Sequence, residues 1–409
     1  MGHADQIPST RRGAVPRGLS TTGPVLFSYG FRPFFLGGAV WACCAMLLWI
    51  LTLMGTIDIA QGYGAPAWHA HEMLFGFGSS VLAGFLLTAV PNWTGRLPVS
   101  GTPLLGLFSL WLLGRVALLM SDLTGNAIAV ALDSLFLPTL LLICAREVIA
   151  GRKWKDLKVV TGLFILSVAN ICFHVETLME GAPDVSPRLA IAAYVALVII
   201  VGGRILPSFT RNWLAKAGAA RFPAPYDGFD SGTIVVSVLV FLAWALRPEG
   251  VVTAVAAAAA AILQVVRLYR WRGWKTFAEP LVLILHIAYL FVPLGFVAIA
   301  ASALGNMDAT AAMHVLTIGT VATMMLAVMT RATRGHTGRE LEASMMTNIS
   351  YAAIIVSALV RPLTSVMPDL SNLIHAIAGI GWILAFALYL VEYAPMLTRK
   401  RRKAIATGA

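Results

Sequence analysis

Residues 281–303 read LVLILHIAYLFVPLGFVAIAASA and contain no Asp, Glu, Lys or Arg. At about 1.5 Å of rise per residue, a helix of this length crosses a hydrocarbon core roughly 30 Å thick. The apolar residues are continuous rather than alternating, which argues against a β-barrel strand. Inside lipid the backbone must satisfy its own hydrogen bonds, so this stretch is predicted to be a transmembrane α-helix.

The rest of the chain has the same character. Of its 409 residues, 58% are apolar and only 12% are charged, which is too little charge to cover a water-soluble protein of this size. We therefore predict an all-α polytopic membrane protein with about twelve transmembrane helices. The predicted spans are 33–57, 67–90, 101–121, 127–149, 157–180, 187–213, 232–247, 251–270, 279–303, 309–330, 346–366 and 369–397.

The basic residues indicate how the chain is oriented. The net charge of +11 does not indicate a nucleic-acid-binding protein, because Lys and Arg collect in every second loop between the predicted spans. The intervening loops carry acidic residues and few bases. Cytoplasmic loops of membrane proteins collect Lys and Arg, so both termini are predicted to be cytoplasmic and the lipid bilayer is the predicted partner.

The domain organisation is predicted to be simple. Residues 1–24 are polar and lack the apolar core of a signal peptide, so they are predicted to form a disordered cytoplasmic tail. Residues 25–398 are predicted to form a single twelve-helix domain, followed by a basic cytoplasmic tail at 399–409. The longest break, 214–231, is rich in Pro and Gly and could join two halves, 25–213 and 232–398.

Histidines crowd toward the predicted outer side of the membrane. Five of the eight lie at the outer ends of four different spans: His69, His71, His174, His314 and His375. A hydrogen bond to a neighbouring helix would explain any one of them. Five at one depth are harder to explain, because ionisable groups in lipid are costly and tend to mark function. Helix bundles build metal and haem sites from facing imidazoles, so these five are predicted to be metal or haem ligands.

The motif WHAHEM, residues 68–73, refines this prediction. His69 and His71 are two residues apart, so on a regular helix they diverge by about 200° and cannot easily hold one metal. We predict instead that they serve two sites on opposite sides of one helix. Glu72 could orient an imidazole or donate a proton, and Glu176 is a second candidate proton donor.

Other side chains at a similar depth could support the predicted metal or haem site. Arg115 and Asp133 lie at matching positions on antiparallel neighbouring spans, which predicts an ion pair, although Arg115 could instead meet a haem propionate. Methionine thioethers suit copper(I), but packing explains most of the methionines. On the cytoplasmic side, Arg204 lies within the sixth predicted span, where its charge needs a partner. It could form a second site with His286, which is also a candidate metal ligand.

Four segments of the chain resemble the NnrS family of bacterial membrane proteins, which is associated with nitric oxide and denitrification. They are FRPFF (31–35), WHAHEMLFGFGSSVLAGFLLTAVPNWTGR (68–96), GGRILPSFTRN (202–212) and MTRATRGHTGRE (329–340). The resemblance implies a haem- and copper-containing protein of the bacterial cytoplasmic (inner) membrane. It also implies nitric oxide as the small-molecule ligand, with a role in detoxification or resistance to nitrosative stress. The paired histidines and the His-Pro-Glu motif of haem–copper oxidases are absent, so oxidase ligand assignments do not transfer.

Two other functions are compatible with a protein of twelve transmembrane spans. A secondary transporter of a metal or a nitrogen oxyanion would place its site near the bilayer midplane, between inverted repeats. A sensor would pass a haem signal to a cytoplasmic partner, but no docking domain is visible in the sequence. The off-centre histidines favour a haem protein, with turnover of nitric oxide left open.

Overall fold

The computed structural model describes residues 23–402. It contains twelve helices long and apolar enough to cross a membrane, which confirms the predicted number and makes the chain a multi-pass membrane protein. No strand occurs within the described range. We label the spans α1 to α12. They are Phe31–Leu53, Ala65–Thr94, Thr102–Leu119, Asn126–Ala150, Trp154–Glu180, Val185–Lys216, Gly228–Leu246, Val251–Lys275, Pro280–Ala303, Ala309–His336, Met345–Ser365 and Pro368–Thr398.

The predictions for the two tails fall largely outside the described residues, since residues 1–22 and 403–409 are not part of them. The break between α6 and α7 is shorter than the predicted linker 214–231, because α6 continues to Lys216 and α7 begins at Gly228. The division into two halves stays a prediction.

The seventh span was predicted to begin four residues too late. Asp227 precedes α7 and accepts hydrogen bonds from the backbone N–H groups of Phe229 and Asp230. The Asp230 side chain in turn accepts from the Asp227 N–H, completing a capping box. Because of this cap, the helix begins at the polar residues that precede the apolar run, and α7 is a span of 19 residues.

The fourth span is broken where a single helix was predicted. Its two segments are Asn126–Asp133 and Phe136–Ala150, with a turn at 134–135 between them. Pro138 explains the break, because a proline ring clashes with the carbonyl four residues earlier, here that of Ser134. The interruption leaves Asp133 at the end of the first segment, inside the bundle.

Three spans contain π-helical segments that the 3.6-residue pattern did not predict. They are Glu72–Gly78 in α2, Val198–Gly202 in α6 and Val315–Ala322 in α10. Two of them begin directly after a histidine, His71 and His314. Such insertions are rare and recur at functional sites.

Side chains from other helices bond to backbone carbonyls of two of these π segments. In α2, Tyr194 donates to the Leu74 carbonyl at 2.8 Å and Trp111 donates to the Gly76 carbonyl at 2.9 Å. In α6, the guanidinium of Arg267 donates to the Ile199 carbonyl at 3.0 Å. These bonds stabilise carbonyls that could not find water inside lipid.

The bundle has a clear centre. In α2, α6, α9 and α10, between 67% and 83% of the most apolar window is buried inside the protein, against 33% to 44% in the other eight spans. All three π segments of the described chain lie in these four central helices. Two of them, α2 and α10, also carry His69, His71 and His314.

Candidate functional site

The two histidines of α2 face different neighbours, as predicted. They lie on its regular first segment, Ala65–His71, where two residues correspond to about 200°. His69 lines a cavity, which we call the histidine cavity. His71 is fully buried in a polar network, which we call the buried cluster. One helix therefore contributes an imidazole to each of two separate sites.

The histidine cavity has a volume of about 530 Å³, within the range of about 300–1,000 Å³ typical of small-molecule sites. Three imidazoles from three spans line it: His69 of α2, His314 of α10 and His375 of α12. Its remaining walls are mainly apolar and aromatic, including Trp49, Phe77, Trp382, Met73 and Met313. Three of the five predicted ligands thus share one pocket.

Two of these imidazoles are held in defined orientations. The ring of His69 stacks on Trp49 with centroids 4.5 Å apart, and its Nδ1 atom is buried without a hydrogen-bond partner among the described residues. His314 Nδ1 lies 2.7 Å from the Thr310 carbonyl, so this nitrogen carries the proton and donates it. The Nε2 atom of His314 then keeps its lone pair, the state in which imidazole binds metals.

Arg361 is the cavity residue that sequence reasoning missed. It lies near the end of α11, lines the histidine cavity and donates to Thr364 Oγ1 at 2.9 Å. A guanidinium beside an apolar pocket suits a ligand that carries a carboxylate. The available signal was its position, since it is a basic residue on the side predicted to hold few bases. Arg115, the residue suggested for a propionate, does not line this cavity.

The buried cluster brings two further histidines together around one carboxylate. Asp133 Oδ2 lies 3.1 Å from His71 Nε2 and 2.9 Å from His174 Nε2. One ligand atom from each of the three residues falls within 4.8 Å of the others, and all three side chains are buried. They come from α2, α4 and α5. Two imidazoles and one carboxylate form a donor set suited to a transition metal ion.

The Nδ1 atoms of both imidazoles also have polar partners. His174 Nδ1 lies 2.8 Å from the Tyr63 hydroxyl, and His71 Nδ1 makes a longer 3.4 Å contact with Glu72 Oε1. Burial raises the pKa of Tyr63 above its ordinary value, so this residue between α1 and α2 stays a neutral phenol. The His174 Nε2 atom is thereby directed at Asp133, whereas the His71 Nε2 atom lies near both Asp133 Oδ2 and Asn170 Oδ1, the latter at 2.9 Å. Outer partners of this kind orient metal-binding histidines.

A single guanidinium partly balances the charge of the buried cluster. Arg115 pairs with Asp133 Oδ1, which confirms the predicted ion pair, and with Glu72 Oε2 at 2.7 Å. Trp41 Nε1 also donates to Glu72, and Asn170 Nδ2 donates to Asp133. Two carboxylates and one guanidinium leave one formal negative charge while the imidazoles are neutral. A bound cation or one proton would neutralise that charge.

Gly76 lies against this network, which makes it a test of how tightly the cluster is packed. A Cβ atom there would contact Glu72 Oε2, Arg115 Nη1 and Trp41 Nε1 at less than van der Waals distance. Gly76→Ala is expected to destabilise the protein by about 1–3 kcal/mol, because Glu72 and the two groups that donate to it must move. Thermal unfolding in detergent measures the loss.

Gly106→Ala on α3 is the matched control, since nothing lies within 4 Å of a Cβ atom there. In a helix interior this change is expected to be neutral or stabilising by about 0.5–1 kcal/mol. Equal unfolding temperatures for the two variants would contradict close packing around Gly76.

The remaining predicted residues lie elsewhere. The Glu176 carboxylate accepts from the backbone N–H groups of Asp184 and Ser186, so it stabilises the start of α6. His286 Nε2 lies 2.7 Å from Thr210 Oγ1, toward the opposite end of the bundle from His69. Arg204 finds its partner in Asp156 at 2.8 Å, so it and His286 have separate partners.

The comparison with known proteins supports one assignment. The family model described as NnrS protein matches residues 25–401. The matched range includes every residue of the histidine cavity and of the buried cluster. A search of curated proteins found no match.

Proposed function

The chain belongs to the NnrS family, and we propose that it binds haem in the histidine cavity and a copper ion in the buried cluster. Family membership supports a membrane protein of the nitric oxide response, and the proposed location is the bacterial cytoplasmic membrane. The observation that carries the proposal is the divergence of His69 and His71. Different faces of one turn of a central helix supply imidazoles to two chemically different sites.

The histidine cavity has the features that a haem requires of a protein. An axial imidazole, apolar walls for the macrocycle and a cation for the carboxylates are all present. His314 is the best-oriented ligand, because its Nδ1–H is held by Thr310 and its Nε2 is free. Arg361 is proposed to pair with a propionate, and His69 and His375 are the other candidate ligands. Haem iron held there would supply a binding site for nitric oxide.

The buried cluster suits a small metal ion instead. Its donors are two imidazole nitrogens and one carboxylate oxygen, a set that binds copper, iron or zinc. The family resemblance favours copper. His71, His174 and Asp133 are the proposed ligands, and Tyr63 and Glu72 orient the two imidazoles from behind.

Glu72 is proposed as the proton-holding residue of the buried cluster. It follows His71 directly, contacts that imidazole and is shared by Arg115 and Trp41. Its contact with His71 links this carboxylate to a change in the charge of the cluster. Glu176 has no part in this proposal, because its carboxylate is used by the backbone at the start of α6.

The transporter alternative has less support. It calls for a site near the bilayer midplane, whereas His69, His314 and His375 lie within a few residues of the ends of their spans. The positions of these histidines therefore favour a haem protein over a transporter.

Purified protein tests the proposal directly. Expressed with a haem supply, it is expected to show a Soret band and to contain iron and copper in equal amounts. Nitric oxide added to the reduced protein is expected to shift that band. Absorption and electron paramagnetic resonance spectra detect the haem and its response to nitric oxide. Elemental analysis measures iron and copper. A preparation that is folded and monodisperse, yet has no Soret band, iron or copper, would overturn the proposal.

A further inference from the structure

A small chamber adjoins the histidine cavity on its membrane-core side. It has a volume of about 90 Å³ and lies among α2, α5, α6, α9 and α10. Its wall and the wall of the histidine cavity have two residues in common, Tyr194 of α6 and Val321 of α10. The two spaces therefore meet at this pair of side chains.

The chamber is almost wholly apolar. Its wall is made by Val, Leu, Ile, Phe, Met and Gly residues, apart from Tyr194. The Tyr194 hydroxyl already donates to the Leu74 carbonyl, so it offers the chamber no free donor. Apolar cavities of this order stay dry and accept small apolar guests such as xenon. Water and ions have no partner here, whereas an uncharged diatomic molecule needs none.

The junction between the two spaces has one rigid side and one adjustable side. Tyr194 is fixed, because its hydroxyl is bonded to α2 and its ring packs against Gly78, where a Cβ atom would lie 3.0 Å from the hydroxyl. Val321 faces it from the π segment of α10. Its side chain is short, so its size sets the remaining width of the passage.

The chamber also reaches toward the surface of the bundle. Five of its lining side chains are only half-buried: Phe85, Val198, Ile205, Met325 and Val328. In a membrane-spanning region such side chains border the hydrocarbon, where small uncharged molecules dissolve.

We propose that this chamber is an access site through which a small uncharged diatomic ligand passes from the hydrocarbon to the histidine cavity, with Tyr194 and Val321 as the gate. This inference rests on the proposed function for the identity of the ligand and for what it meets in the cavity. The chamber and its selectivity for apolar guests rest on the lining residues alone.

Xenon tests the chamber without any cofactor. Crystals of the full chain under xenon gas are expected to show an anomalous scattering peak between Leu82, Tyr194 and Val321. Val321→Phe is expected to remove or weaken this peak, because the larger ring occupies the junction. The matched control is Val297→Phe, since Val297 is 54% exposed on the lipid-facing side of α9. It is expected to leave the peak unchanged, and absence of xenon from the wild-type chamber would overturn the inference.

Ligand rebinding tests the gate. After photolysis of carbon monoxide from the reduced haem-loaded protein, Val321→Phe is expected to slow the bimolecular rebinding rate by about tenfold, equivalent to roughly 1.4 kcal/mol of barrier. Val321→Ala is expected to speed it, and Val297→Phe to leave it unchanged. The equilibrium dissociation constant is expected to stay the same, since a gate alters entry and exit together.

The two proposals fail in different ways. A protein that takes up xenon in the chamber but holds no haem would sink the proposed function and leave an apolar chamber whose ligand is not a haem ligand. A haem-loaded protein whose rebinding rate is the same in Val321→Phe and Val321→Ala would overturn the gate and leave the proposed function standing.

Discussion

Replacing Arg115 by methionine is expected to destabilise the protein by about 3–5 kcal/mol, the usual cost of removing one partner from a buried ion pair. Arg115 is the shared partner of Glu72 and Asp133, and all three side chains are at most 2% exposed. Without the guanidinium, two carboxylates would face each other at a depth where water cannot solvate them. Unfolding in detergent, followed by circular dichroism, measures the effect.

Two further variants make this prediction specific to charge. Arg204→Met is the matched control, because Arg204 also pairs with an aspartate within a span but is 47% exposed. It is expected to cost no more than about 1 kcal/mol, as exposed pairs usually do. Adding Glu72→Gln and Asp133→Asn to Arg115→Met is expected to recover part of the loss, since no buried charge then remains. Equal losses for Arg115→Met and Arg204→Met would mean that the cluster is not electrostatically isolated.

Single histidine substitutions are expected to separate the two metal sites completely. His314→Ala is expected to abolish the Soret band while leaving copper bound, because His314 contributes only to the histidine cavity. His174→Gln is expected to abolish copper binding while leaving the Soret band, because His174 contributes only to the buried cluster. Glutamine can keep a hydrogen bond near Asp133, which limits the loss of stability. Iron and copper analysis of the folded, monodisperse fraction gives both readouts from one sample.

His286→Ala is the matched control for these two variants. It removes a buried imidazole that bonds Thr210 and belongs to neither site, so both metals are expected to remain. Loss of either metal in this variant would restore His286 as a ligand, as the sequence had allowed. If His314→Ala and His174→Gln each removed both metals, the two sites would be one coupled centre instead of two.

Much of the site was predictable because position along a helix converts directly into depth and direction. Matching depths predicted the pairing of Arg115 with Asp133, and a two-residue spacing predicted that His69 and His71 diverge. The choice of partners was not predictable. Asn170 and Tyr63 joined the buried cluster, and Arg361 joined the histidine cavity, through contacts between helices far apart in sequence.

The sequence by itself determined that the chain crosses a membrane twelve times. Continuous apolar length is sufficient for that conclusion, because lipid admits only helices whose backbone is satisfied internally. The sequence also determined that five of its eight histidines fall at one depth. Only the tertiary structure decided which of them meet, since that depends on how twelve helices are rotated and packed. It also revealed the π segments beside His71 and His314, which leave no trace in the apolar pattern. The segment beside His71 is stabilised by a hydrogen bond from Tyr194, which belongs to another helix.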